Sequence, residues 1–185
     1  MWNIINEFNI SLEIIYDLFD GIESDIKQNV KIDTRKDLLI YCYRVAGTVG
    51  LMMAKILKVS KKQSLKSAID LGIAMQLTNI SRDVIEDSKK NRSYINGNFE
   101  EINSTIELAD TFYKNSFYSI REIPLSFRFS ILVARRIYRK IGYKILEKKN
   151  FENYKKSGKI YVNNVEKIVE TLLSIIANVL LLNFS

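Results

Sequence analysis

The sequence predicts an all-α fold. Two observations carry that expectation. Of the 185 residues 47% are apolar, whereas glycine (7) and proline (1) are scarce, a balance that suits packed helices better than turn-rich sheets. Apolar residues also recur at helical spacing, and no long alternating segment interrupts them. The length is that of one domain able to bury a substantial core, so residues 1–185 are read as a single all-helical domain.

The elements follow in order. Ser11 is placed to cap a helix running to about Lys27, with Leu12, Ile15, Phe19, Ile22 and Ile26 as its inward stripe. Asp33 or Thr34 caps the next helix and Asp37 favours its first turn. The DTRKD spacing is therefore read as a helix start. That second helix runs from about Arg35 to Leu57, with Leu38, Tyr41, Val45, Val49, Met52 and Ile56 inward. Its centre carries Ala46, Gly47, Thr48 and Gly50; glycine there costs about 1 kcal/mol against alanine, so close helix packing is one reason for the strip.

After a loop at Lys58 to Lys62, with Ser60 or Ser64 as cap, comes the helix that organises the chain. Leu65, Ile69, Gly72, Gln76, Asn79, Asp83, Glu86 and Asp87 share one stripe, apolar at its start and acidic at its end. Ile73, Leu77, Ile80 and Val84 lie beside it and need a core. A polar stripe bordering a buried face is the pattern of a helix that lines a cavity. Asp83 with Glu86 and Asp87 makes like-charge pairs costing about 0.2–0.5 kcal/mol each, near a helix end whose dipole also opposes carboxylates. A bound cation offsets both costs, and oxygen ligands suit Mg2+. A solvated acidic helix end is the competing reading.

Ser93 to Ser104 reads as a loop with a turn at Asn96-Gly97. A helix from about Ser104 to Arg121 carries Ile106, Ala109, Tyr113 and Phe117, and Pro124 breaks the pattern. The next helix, Ser126 to about Lys148, has Tyr138 one position from its apolar stripe, towards a cavity edge. Its basic run, Arg135, Arg136, Arg139 and Lys140, is read as a solvated face. Asn150 to Lys159 looks like a hinge, and a last helix spans about Asn163 to Leu182. The apolar run Ile168 to Phe184 contains Glu170 and Asn178, so a packed helix is expected rather than a membrane span.

The net charge is +7 without an arginine-rich arm. Nucleic acid is not expected as a partner; an anionic diphosphate or the anionic inner face of a membrane suits the charge. One cysteine and no histidine exclude a disulfide framework and a Cys/His metal centre. A start without basic and apolar regions gives no signal peptide, and a cytoplasmic location is expected.

The segment QLTNISRDVIED followed by NRSY resembles the second aspartate-rich motif of the phytoene and squalene synthases. Upstream, YCYRVAGTVGLMM (Tyr41 to Met53) is similar to the block preceding it in phytoene synthases, at matching spacing. A weaker likeness continues to about Lys167. The resemblance implies an isoprenoid-synthase-type helical bundle. It also implies that Gln76 and Arg82 contact a prenyl diphosphate and that Asn79, Asp83 and Asp87 hold Mg2+ (or Mn2+). By the same likeness Tyr41 and Tyr94 are catalytic and Tyr138 borders the substrate, the three lining the reaction cavity. For the Ala46–Gly50 strip it adds a second reason, room for a long prenyl chain. Lys156 and Lys159 are counterparts of basic residues that relatives direct towards the diphosphate.

There are departures. Relatives carry a further N-terminal third with a first DxxxD motif, so the bundle is expected to be N-terminally incomplete. Asn91 and Ile95-Asn96 stand where relatives have glycine and leucine–proline. Three readings follow. One is a phytoene synthase-like enzyme condensing two geranylgeranyl diphosphates head to head, with a separately encoded N-terminal half or self-association. The second is a squalene- or dehydrosqualene-type enzyme using farnesyl diphosphate. The third is a non-catalytic relative binding lipid or a protein.

Overall fold

The computed structural model describes residues 2–182, and of the apolar run read at the end, Asn183 and Phe184 lie outside them. In chain order the elements are α1 (Trp2–Glu7), α2 (Leu12–Ile26), β1 (Val30–Lys31), α3 (Arg35–Cys42), a π turn (Tyr43–Gly47) and α4 (Thr48–Ile56). Then come α5 (Lys62–Ser88), β2 (Arg92–Ser93), α6 (Phe99–Ser116), a 3-10 turn (Tyr118–Glu122), α7 (Leu125–Leu146), α8 (Phe151–Lys156) and α9 (Asn164–Leu182). The bundle is all-α save for β1 and β2, which pair in parallel through Val30 with Arg92 and Lys31 with Ser93.

α5 is the axis. It packs along α6 and is flanked by α4, the π turn and α7. Ile73, Ala74, Leu77, Ile80 and Val84 form the spine of the main core. Against them lie Leu38 and Tyr41 from α3, Ile102 and Ile106 from α6, and Ile141 and Ile145 from α7. Full burial of each large aliphatic side chain contributes about 1.5–3 kcal/mol, which makes the face beside the acidic stripe the one that fixes α5. A second, smaller core of Ile120, Leu132, Ala177 and Leu181 pins α9 to α7.

Several local expectations hold. Ser11 accepts from the Glu13 amide at the start of α2. Thr34, not Asp33, caps α3 by accepting from the Asp37 amide, and Asp37 takes the Thr34 hydroxyl in return. The small-residue strip serves close packing: a Cβ at Gly50 would collide with the Ala68 carbonyl oxygen, and one at Gly72 with that of Ala46.

Others are corrected. The stripe expected to face inward on α2 faces out, with Leu12, Phe19, Ile22 and Ile26 exposed; Ile14 and Gly21 are buried instead. The reason is Gly21, which lets α2 lie directly on Arg44 and Val45 of the π turn. The long helix over Arg35–Ile56 is not uniform. Its π turn inserts about one residue and so rotates everything downstream by about 100°. Leu38 and Tyr41 are therefore buried while Val49 and Ile56 are exposed.

Lys61 stands at the N-cap of α5 without a side-chain capping bond, its ammonium turned instead to Glu122, and Ser64 is buried within the first turn. α6 begins at Phe99, earlier than expected, because Asn98 accepts from the Glu101 amide. The hinge over 150–159 is in part α8, capped by Asn150. The basic run is not solvated. Arg135 is buried and donates to the Tyr113 carbonyl. Arg136 pairs with Glu170 and Arg139 with Asp110.

Candidate active site

Two cavities border α5. The larger, about 340 Å³, runs between α4 and α5 towards the 3-10 turn and α7. Val49, Met53, Leu71 and Met75 are among its walls, and Gln76 and Asn79 supply polar groups. Val49 and Met53 are also exposed, so the cavity is open along α4. Helical phase explains the polar pair: Gln76 and Asn79 are three residues apart and so project together, with Asn79 Nδ2 3.5 Å from Gln76 Oε1. The Asn79 Oδ1 atom is buried and has no hydrogen-bond partner among the described residues. Such an atom costs about 1–3 kcal/mol unless something meets it.

One turn further on, Asp83 is already engaged. Arg82 forks onto its carboxylate, Nε to Oδ1 at 2.8 Å and Nη2 to Oδ2 at 2.6 Å. Lys159 reaches Asp83 at 3.4 Å and Glu86 at 2.8 Å. Burial pushes the Asp83 carboxyl up, but Arg82 and Lys159 outweigh it and hold the group below the usual aspartate value. The same fork raises Arg82. The protein's own cations thus offset part of the like-charge cost along this stripe. Lys156, in α8, is exposed.

Asp87 faces a different space. It lines a cleft of about 70 Å³ with Ile80, Val84, Arg92 and Tyr94. Burial first, and the Asp83 charge second, raise its carboxyl above the ordinary value. Tyr41 and Tyr94 come from α3 and the residue after β2, yet their rings stack, with centroids 4.7 Å apart and planes 24° from parallel. Both are buried. Burial is the chief cause that raises both phenols, Tyr94 to about 12, so both stay neutral. Tyr138 packs against the main core, close enough to Arg82 to act on its charge.

The arrangement therefore groups Gln76 with Asn79 at the large cavity, Arg82 with Asp83 and Lys159 beside it, and Asp87 with Tyr94 in the small cleft. Sequence reading missed Asp25, whose carboxylate receives both phenol hydroxyls: Tyr94 at 2.7 Å and Tyr41 at 2.9 Å. One signal was available. Asp25 sits in the last turn of α2, where a carboxylate opposes the helix dipole and needs a compensating partner.

An all-α bundle with an apolar cavity bordered by the Gln76 and Asn79 amides, and with the carboxylates of Asp83 and Asp87 further along the same helix, has the form of an isoprenoid-synthase-type fold. Its overall shape matches a dehydrosqualene synthase with a TM-score of 0.66 and 25% identity, covering 89% of this chain and 64% of that one. It also matches in fold a squalene synthase from Alicyclobacillus acidocaldarius, with a TM-score of 0.69 and 17% identity over 81% of this chain and 63% of that one. The family model for squalene/phytoene synthase matches residues 3–97, just over half of the chain. The chain belongs to the squalene/phytoene synthase family.

Its curated relatives include the 15-cis-phytoene synthase of Enterobacter agglomerans, 34% identical over 153 residues (71% of this chain, 52% of that protein). Another is the 15-cis-phytoene synthase of a Paracoccus species, 35% identical over 147 residues (70% of this chain, 48% of that protein). The chain spans about half the length of these relatives.

Proposed function

We propose that this chain binds a prenyl diphosphate and carries one part of a phytoene synthase-like site, for head-to-head condensation of two geranylgeranyl diphosphates. The observation that supports this best is the unpartnered, buried Asn79 Oδ1 beside Gln76 at an apolar cavity, one helical turn before Asp83. The donor set of Asn79, Asp83 and Asp87 is all oxygen, as Mg2+ requires. When bound, Mg2+ supplies positive charge against a departing diphosphate. In this reading Gln76 donates from its amide to the diphosphate, and Arg82 turns its fork from Asp83 to phosphate oxygens. The apolar walls hold the tail and exclude water from an allylic cation. Tyr94, backed by the stacked Tyr41 ring, contributes a neutral aromatic group to the cleft that Asp87 borders, which suits a cation.

A second reading, a dehydrosqualene-type enzyme using farnesyl diphosphate, is favoured by the shape match to a dehydrosqualene synthase. We place the chain in the cytoplasm, in peripheral contact with an anionic membrane face, on the basis of its net charge of +7 and the exposed apolar face of α9.

The test is calorimetric titration with non-reacting geranylgeranyl and farnesyl diphosphate analogues, with and without Mg2+, in wild type and in Asp83→Ala with Asp87→Ala. Tight binding only with Mg2+, lost in the double variant, supports the proposal, and the tighter analogue selects the substrate. Equal binding under all conditions sinks it.

A further inference from the structure

Asp25 joins three separate parts of the fold. Its carboxylate Oδ1 accepts the Tyr94 hydroxyl at 2.7 Å, and its Oδ2 accepts that of Tyr41 at 2.9 Å. Its backbone carbonyl accepts from Arg92 Nη2 at 3.0 Å. The Tyr94 bond falls in the length range of strong, charge-assisted O–H···O bonds. The residues held are not scattered: Arg92 and Tyr94 form one wall of the cleft whose other wall is α5 with Asp87. Both side chains of that wall are thus anchored on one residue.

Attachment of the segment does not require Asp25. The backbone of Arg92 and Ser93 is already tied to β1, where the Val30 amide donates to the Asn91 carbonyl and the Ile32 amide to that of Ser93, both at 3.0 Å. What the Asp25 side chain adds is the orientation of one phenol, Tyr94, at the cleft that Asp87 borders; Arg92 is held by the Asp25 backbone carbonyl, which any residue there would supply. The stacked Tyr41 ring braces Tyr94 from the core side.

We propose that Asp25 is a positioning residue for the diphosphate site, its carboxylate setting Tyr94 against Asp87 and so the geometry in which the acidic end of α5 takes a divalent cation together with a diphosphate. The inference rests on the function proposed above. Asp25 touches neither the cation nor the substrate; its side chain acts through Tyr94. Removing a hydrogen-bond partner of a metal ligand itself lowers metal affinity about 10–100-fold, and Asp25 stands one residue further out, so the low end of that range is expected.

The test uses the full chain, with Asp25→Ala, Asp25→Asn and Tyr94→Phe. Each is titrated by calorimetry with a geranylgeranyl diphosphate analogue, with and without Mg2+, after a thermal melt and a near-ultraviolet dichroism spectrum that reports the tyrosine pair. In Asp25→Ala the affinity measured with Mg2+ falls at least about tenfold, while the Mg2+-free affinity, set by the apolar cavity, changes less than about twofold. Asp25→Asn, which keeps one acceptor oxygen, falls between wild type and Asp25→Ala. Adding Tyr94→Phe to Asp25→Ala weakens binding no further. If Asp25→Ala does not fold, Asp25→Asn and Tyr94→Phe decide, and each must lower the Mg2+-dependent affinity alone. Equal losses with and without Mg2+, or no loss, overturn the positioning role. A wild type without Mg2+-dependent binding overturns the proposed function itself, and the positioning role with it.

Discussion

Arg82 and Asp83 are neighbours in sequence, and in the folded chain they close a two-point fork, with Nε 2.8 Å from Oδ1 and Nη2 2.6 Å from Oδ2. Both partners are largely buried, and Lys159 lies 3.4 Å from the same carboxylate. A cation approaching Asp83 therefore competes with two of the protein's own positive groups, and a diphosphate would draw both away from it.

That competition gives opposite expectations for metal and for substrate. Arg82→Gln frees Asp83, so Mg2+ alone binds a few-fold more tightly, while an analogue of a prenyl diphosphate binds about tenfold more weakly in the presence of Mg2+. Two titrations on the variant check this. A loss of both affinities would mean that Arg82 serves mainly to hold Asp83 in place.

The pH dependence of stability separates the two aspartates. Asp87 is raised in the folded state, so its charge destabilises the fold once the pH exceeds the unfolded value, and that effect grows as pH rises through the folded one. Asp83 is lowered, so its contribution is present above the unfolded value and is lost as pH falls through the folded one. Asp87→Asn removes one like-charge pair and stabilises the chain at pH 7 by about 0.2–0.5 kcal/mol. The gain vanishes in melts below the ordinary aspartate value of 3.8.

Gly72 is held to glycine by contact rather than by backbone angle. Alanine there meets the Ala46 carbonyl oxygen and must part α5 from the π turn. The expected loss is about 1–3 kcal/mol, seen as a fall in melting temperature, although alanine is the better helix former. A variant as stable as wild type would show that the two helices separate freely.

The outer face of α9 presents Leu172, Ile176 and Val179 to solvent. Cosedimentation with anionic vesicles is expected at low salt and should weaken as salt rises. Leu172→Ser with Ile176→Ser should reduce it about tenfold or more, each serine removing roughly the 1.5–3 kcal/mol of an apolar side chain. Unchanged cosedimentation would assign the attraction to charge alone.

Much of the architecture is local and was therefore legible. Thr34 and Ser11 cap their helices through bonds that span two or three residues, Pro124 follows the 3-10 turn and stands at the start of α7, and the spine of α5 follows from 3.6-residue spacing. The family likewise follows from contiguous motifs. What spacing along one helix does not specify is which neighbour covers each face. The stripe Leu12 to Ile26 is regular, yet Gly21 turns the opposite side of α2 to the bundle.

The same limit governs the site. From Gln76 to Asp87 the residues lie on one helical stripe, and periodicity alone determined that much. Only the tertiary structure divided the stripe, bringing Lys159 to Asp83 across 76 positions of sequence and enclosing Asp87 with Arg92 and Tyr94. It alone placed Asp25 under Tyr41 and Tyr94, because a carboxylate at the end of α2 meets phenols from α3 and from the segment after β2 only once three elements have packed together. Helical phase is a property of the chain; the identity of a partner across a cleft is a property of the fold.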